Sequence, residues 1–150
     1  MSRARALVFL VVLVCALVAA PALARKNAEN KENDVPNVTG VWKGTSVSVA
    51  VGKLGHAGAT DAPQFLHIDW TLTIEKQDGR AFYGTRASSR AKETVVGVID
   101  GASTLYMADE DGTYVGKLTS KNTMDVKYLE AGKDSKVASF THYRRDEAKQ

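Results

Sequence analysis

The stretch Leu66–Ile74, LHIDWTLTI, decides the fold. Its even-numbered residues are large and apolar, and the residues between them are polar or small. In an extended chain, successive side chains point to opposite faces, so this period predicts a β-strand with one buried and one solvated face. From Val38 onward, no stretch carries an apolar stripe with the period of an α-helix.

Similar short runs on both sides of this stretch predict further strands. The eight predicted strands are 39–51, 64–76, 81–88, 93–99, 103–108, 113–119, 123–129 and 136–143. Asp-Gly pairs at 78–79, 100–101 and 111–112 supply the positive φ angles that tight hairpins need. The pattern predicts an all-β domain, an eight-stranded antiparallel up-and-down meander barrel, because closure removes the exposed edges. An open meander or a sandwich is the alternative.

Two segments stand out from the hairpin pattern. The connection 52–63, GKLGHAGATDAP, is glycine-rich and joins the two longest predicted strands, which makes it a candidate lid over one end of the barrel. The stretch Val95–Ile99, VVGVI, is apolar on both faces, so its phase is ambiguous. One of its faces is therefore a candidate contact with another subunit.

Residues 1–24 have the three parts of a secretory signal peptide. Arg3 and Arg5 begin it, and an apolar run follows at 6–20. That run is shorter than the roughly 20 residues that a membrane span needs. The small residues Ala22 and Ala24 place the predicted cleavage after Ala24, with a retained N-terminal anchor as the alternative. We therefore expect a secreted or periplasmic protein that has no membrane contact after cleavage.

Cleavage also changes the charge and the cysteine content. It removes Arg3 and Arg5, so the formal net charge falls from +3 to +1, and it removes Cys15, the single cysteine. There is no basic stripe with interleaved aromatic residues, so no nucleic-acid partner is expected. A secreted domain without cysteines must be held by its core.

The composition divides the chain into four parts. These are a signal peptide at 1–24, a flexible polar leader at 25–37, a barrel domain at 38–145 and a C-terminal tail at 146–150.

Gly40-Val41-Trp42 opens the first predicted strand, and Arg144-Arg145 follows the last one. This pairing resembles the calycin superfamily of lipocalins, fatty-acid-binding proteins and avidins, and the short strands with tight hairpins look most like an avidin-type barrel. The resemblance implies that Trp42 plugs one barrel end while Arg144 or Arg145 lies over its ring, where a cation–π contact is favourable. We assign Gly40, Trp42 and Arg144 to this structural plug.

The resemblance does not carry a ligand with it. Avidins line their biotin site with several tryptophans, whereas this chain has only Trp42 and Trp70. The stretches GVI at 97–99 and LYMADEDG at 105–112 also resemble uncharacterised bacterial exported proteins, a likeness that implies no activity.

Candidate ligand contacts come from aromatic and charged residues of the strands. Trp70 belongs to the apolar face of its strand, where it either fills the core or lines a cavity. The tyrosines offer an apolar ring with a hydroxyl group, although strand tyrosines can also face outwards. The candidate ligand-binding residues are Trp70, Tyr83, Tyr106, Tyr128, Arg86 and Glu93.

The sequence carries no specific catalytic or metal motif. His67 and Asp69 share a strand face, but a zinc site needs about three or four converging ligands. The stretch 109–112, DEDG, lacks the spacing of an EF-hand loop. We find no nucleophile elbow, phosphate loop or Ser-His-Asp pattern, and assign no metal, cofactor or catalytic residue.

These observations predict an exported barrel that binds a small apolar or aromatic ligand. One alternative is a protein-interaction or inhibitor module with a solid barrel, including association with a second copy. Another is a small-barrel enzyme that shapes a reactive intermediate, in the manner of allene oxide cyclase or dirigent barrels. For the enzyme, Arg86 and Glu93 are the first residues to inspect, but we favour a binding role.

Overall fold

The computed structural model describes residues 35–147. The predicted signal peptide, most of the predicted leader and the last three residues of the tail lie outside the described residues. The strands are β1 (Gly40–Gly52), β2 (Thr60–Asp78), β3 (Ala81–Ala87), β4 (Lys92–Asp100), β5 (Thr104–Ala108), β6 (Thr113–Ser120), β7 (Thr123–Ala131) and β8 (Ser135–Arg145). Each pairs antiparallel with the next, and β8 pairs with β1, so the predicted closed barrel is confirmed.

The alternation of β2 and β4 sorts side chains between core and surface. In β2, Trp70, Leu72 and Ile74 are buried, as predicted. In β4, Val95 and Ile99 are buried inside the barrel, whereas Val96 and Val98 are half exposed outside it. The ambiguous stretch 95–99 thus takes the register that puts its odd-numbered residues inside.

Two of the predicted Asp-Gly hairpins have the expected backbone. Gly79 and Gly101 have φ angles of 55° and 58°. The third is different, because Gly112 is not among the described residues with positive φ. There the Asp109 carboxylate accepts hydrogen bonds from the amides of Asp111 and Gly112 at 3.1 and 2.8 Å. A side chain therefore stabilises this turn, as aspartate commonly does.

Trp42 plugs one end of the barrel. Its side chain is fully buried, and its indole Nε1 donates a hydrogen bond to the Val38 carbonyl at 3.0 Å. The guanidinium of Arg145 lies 4.2 Å from the ring centroid. The assignment of Arg144 to the plug was wrong, because Arg144 is exposed. In β8, Arg145 shares the inward side with Tyr143, and Arg144 points to the opposite face.

Arg145 also ties the chain ends together at this plug. It donates hydrogen bonds to the carbonyls of Asn37 at 2.8 Å, Lys121 at 3.3 Å and Thr39. Gly40 has a φ angle of 119°, and a Cβ atom there would lie 3.3 Å from Arg145 Nη1. Glycine is therefore suited to this position both by its backbone angle and by the close approach.

The last residues of the predicted leader belong to the barrel end. The side chain of Gln77 accepts from the Val38 amide at 2.9 Å and donates to the Pro36 carbonyl at 3.0 Å. Val35 packs against the core cluster. The sequence predicts that the barrel domain begins at Val38. In the structure the domain includes the residues from Val35 onward.

We call the opposite end of the barrel the mouth, and it contains the 53–59, 88–91, 109–112 and 132–134 connections. β2 begins at Thr60 instead of at 64, so the predicted 52–63 lid shortens to the 53–59 loop. Thr60 and Gln64–Trp70 pair with β1 alone, and pairing with β3 starts at Thr71. The paired ends of β1 and β2 therefore extend beyond the end of β3 at the mouth, and the 53–59 loop that joins them lies over the mouth.

Candidate ligand-binding site

The mouth brings together four of the six candidate ligand residues. Trp70, Arg86 and Tyr128 line one cavity, and Glu93 contacts a histidine that also lines it. Tyr83 and Tyr106 are elsewhere, on the outer face, with 47% and 48% of their surface exposed. Their assignment was wrong because their strand neighbours on both sides take the inward positions, which leaves each tyrosine pointing outward.

Arg86 is the central charged residue of the cavity. It lies on β3, is only 4% exposed, and has its Cζ atom 3.2 Å from the centroid of the Trp70 ring. Its Nη1 donates to the Tyr114 hydroxyl at 3.3 Å and its Nε to the Tyr143 hydroxyl at 3.4 Å. Tyr114 and Tyr143 belong to the strand tyrosines considered above but were not among the assigned residues, because only the strand register shows that they contact the guanidinium.

A phenol lies between this guanidinium and the Asp109 carboxylate. The Tyr114 hydroxyl contacts Asp109, and it is this hydroxyl that accepts from Arg86. Burial lowers the pKa of Arg86, but Tyr143, Tyr114 and Asp109 outweigh it and leave the pKa above its ordinary value. Arg86 therefore stays cationic at any physiological pH.

His56 closes the cavity from the 53–59 loop. Its ring packs edge-on against Trp70, with the centroids 4.5 Å apart and the planes at 66°. Its Nδ1 lies 2.9 Å from the Ser88 hydroxyl. Its Nε2 lies 2.8 Å from Glu93 Oε1.

Glu93 lies in an environment that favours its neutral form. Burial raises its pKa most, the contacts with His56 lower it, and the neighbouring Asp109 carboxyl raises it further. The loop, β4 and the turn after β5 thus meet through His56, Glu93 and Asp109. His56 was not assigned a role, and its position in a glycine-rich loop was the only sequence signal for one.

β1 contributes a hydroxyl-lined wall. The Trp70 indole Nε1 donates to Ser46 Oγ at 3.1 Å, and Ser48 Oγ donates to the same atom at 3.1 Å. Both serines are buried. On the other side, the Tyr128 hydroxyl donates to Glu130 at 3.2 Å. The cavity wall therefore combines aromatic faces with oriented polar groups, the mixture typical of small-molecule sites.

The cavity beneath the loop has a volume of about 40 Å³. This is the space of about three water molecules. It is lined by Ser48, Ala50, Leu54, Gly55, His56, Ala57, Leu66, Ile68, Trp70, Arg86, Asp111, Tyr128, Glu130, Val137 and Ser139. A ligand larger than a few atoms therefore needs the loop, and His56 with it, to move.

The remaining histidines lie outside the mouth. His67 and Asp69 are exposed, and His142 pairs with Asp125 at 2.6 Å on the surface. Across residues 35–147, no group of three or more His, Cys, Asp or Glu side chains is placed to hold a metal ion. Nor does this part of the chain contain a helix long and apolar enough to cross a membrane.

Together these features define a closed antiparallel barrel with two different ends. An indole plugs one end, and a small cavity with polar and aromatic walls lies in the mouth under the 53–59 loop. No protein-family model matches the chain, and neither a curated protein nor a solved structure does. The chemistry of the mouth is therefore the guide to function.

Proposed function

We propose that this protein binds a small ligand with an aromatic or apolar body in the mouth of the barrel, under the 53–59 loop. The observation that supports this is the packing of the His56 ring on Trp70 at a centroid distance of 4.5 Å. A side chain of the loop holds the position that a flat ligand would take. The loop is then a lid, and His56 leaves Trp70 when the ligand enters.

The lid has a defined attachment point. Gly52 ends β1 with a φ angle of 100°, and a Cβ atom there would lie 2.0 Å from the Asp134 carbonyl. That angle is open to glycine and strained for other residues. Gly55 and Gly58 lie on either side of His56. The segment that must move is therefore anchored at Gly52, and the residues directly beside His56, Gly55 and Ala57, are small.

The space freed by the lid suits an amphipathic ligand. Leu66, Ile68 and Val137 offer apolar contacts, and Trp70 offers an aromatic face. Apolar walls supply binding free energy in proportion to the area buried, and the few polar groups orient the ligand. The predicted signal peptide would place this site outside the cytoplasm.

The His56→Ala variant tests the lid. We expect it to bind indole and benzyl alcohol about tenfold more tightly than the wild type, because the ligand no longer displaces a ring held by polar contacts worth roughly 1 kcal/mol each. The measurement is isothermal titration calorimetry of the full-length protein, because indole shares the fluorescence of the tryptophan side chain. Trp70→Phe should weaken the same binding.

His67→Ala is the matched control, because His67 is exposed on the outside of β2. It should leave both affinities unchanged. The proposal is wrong if indole and benzyl alcohol show no saturable binding to either the wild type or His56→Ala.

A second candidate function is association of two copies through the outer face of β3–β6. This outer patch consists of Tyr83, Val96, Val98, Tyr106 and Val115, each 45–54% exposed. Cross-strand pairing makes it continuous, since Tyr83 opposes Val96 and Tyr106 opposes both Val98 and Val115. Contiguous exposed apolar residues often mark protein interfaces.

Light scattering tests this second candidate function by measuring whether the protein is a monomer or a dimer. We expect the full-length protein to be a dimer at micromolar concentration and Val98→Lys to be a monomer, because a buried lysine without a partner disfavours the interface. Thr94→Lys, on the same strand beyond the outer patch, should stay dimeric. A wild type that is monomeric at every concentration contradicts the idea.

A further inference from the structure

Arg86 has hydrogen-bonding capacity that the barrel does not use. A guanidinium carries five N–H donors. Nε and Nη1 donate to phenol oxygens over 3.4 and 3.3 Å, which are long distances for a cation. Within the described part of the chain, no hydrogen bond from Nη2 is present, and Arg86 lines the cavity.

A buried cation of this kind favours an anionic partner. Taking a charge out of water costs free energy that a direct carboxylate partner can offset. Here the Asp109 carboxylate is reached only through the Tyr114 hydroxyl. The planar edge of the guanidinium matches a carboxylate, which accepts two parallel hydrogen bonds.

We infer that the ligand carries a single carboxylate, which binds the Arg86 guanidinium while the ligand body replaces the His56 ring on Trp70. This inference rests on the function proposed above. The cavity of about 40 Å³ fits the head group of such a ligand. That space corresponds to about three water molecules, and a carboxylate has three non-hydrogen atoms, whereas a phosphate has five.

The acidic residues around the cavity are already engaged or screened. Glu130 accepts from the Tyr128 hydroxyl at 3.2 Å and from Ser135. Asp109 accepts from Tyr114 and from turn amides. Asp111 is exposed, so solvent and salt weaken its repulsion. These groups would still repel a doubly charged head, which is why we commit to a monocarboxylate.

The test compares benzoate with benzyl alcohol, two probes with the same ring. We expect the full-length wild type to bind benzoate at least about tenfold more tightly than benzyl alcohol, within the range that charge-assisted hydrogen bonds support. Arg86→Met should remove this preference, so that the two probes bind with similar affinity, and methionine keeps most of the buried volume. Arg86→Lys, which keeps the charge without the planar edge, should retain part of the preference.

Each outcome decides a separate point. Equal affinities for benzoate and benzyl alcohol in the wild type, or a preference that survives in Arg86→Met, overturn the carboxylate inference while the binding function stands. Absence of indole, benzyl alcohol and benzoate binding in both wild type and His56→Ala overturns the binding function itself. If Arg86→Met does not fold, Arg86→Lys decides: a reduced preference for benzoate over benzyl alcohol supports the inference, and an undiminished preference contradicts it.

Discussion

Replacing Trp42 by alanine is expected to lower the free energy of unfolding by about 3–5 kcal/mol, the range for deleting a large buried aromatic side chain. The ring is fully buried, fills one end of the barrel and donates to the Val38 carbonyl. Its loss leaves a cavity at the plugged end of the barrel and removes the aromatic partner of Arg145. Urea unfolding of the full-length protein measures the change.

The two terminal arginines provide a matched pair of controls. Arg145→Ala should cost roughly 1–2 kcal/mol, because a cation–π contact and several hydrogen bonds to carbonyls are lost. Arg144→Ala should change stability by less than about 0.5 kcal/mol, since Arg144 is exposed. Equal costs for the two arginines would show that Arg145 does not stabilise the plug.

Raising the pH above about 10 is expected to destabilise the barrel steeply. Tyr114, Tyr128 and Tyr143 are buried, and burial is the largest cause of the raised pKa of each phenol. Arg86 opposes this for Tyr114 and Tyr143, and Asp109 adds to it for Tyr114 and Tyr128. The folded state thus holds all three phenols neutral beyond the pH at which unfolded tyrosine ionises.

The sign of the pH effect follows from these raised pKa values. The contribution of neutral buried phenols is complete below the unfolded pKa of about 10 and is lost as the pH rises from there towards the folded values. Each phenol contributes a slope of about 1.4 kcal/mol per pH unit, so the three together approach about 4 kcal/mol per unit. A slope of that size would offset the whole free energy of unfolding of an ordinary domain, about 5–15 kcal/mol, within a few pH units.

Parallel titrations check this prediction. Tyrosinate absorbance and circular dichroism are followed together above about pH 9, just below the ordinary tyrosine pKa, and a cooperative rise in absorbance should coincide with unfolding. Tyr143→Phe should reduce the pH slope by about a third, because one of three linked phenols is gone. A full tyrosinate signal from a barrel that keeps its circular dichroism would contradict the prediction.

Much of the fold was accessible from local patterns. The alternation in 66–74, the Asp-Gly turns at 78–79 and 100–101 and the short spacing between strands each act within a few residues, and each was confirmed. The start of β2 was misplaced because Pro63 and the polar residues before it resemble a loop, whereas in the barrel Thr60 pairs with Gly52. Pairing across strands decided that boundary, and local propensity did not.

The candidate site was only partly accessible for the same reason. Trp70, Arg86 and Tyr128 were identified by residue type, but so were Tyr83 and Tyr106, which face outwards. A shift of one residue in register exchanges the inner and outer faces of a strand. Short runs such as Thr104–Ala108 do not carry enough alternation to fix that phase.

By itself, the sequence determined an all-β meander of eight strands, because hydrophobic period and turn chemistry are local properties. The indole plug was an expectation from a resemblance, not from these local patterns. Only the tertiary structure decided that Arg145 caps the plug, that Arg86 lies on Trp70 between the hydroxyls of Tyr114 and Tyr143, and that the His56 loop covers them. Those contacts join strands far apart in the chain, and the stagger of a closed barrel sets which residues meet.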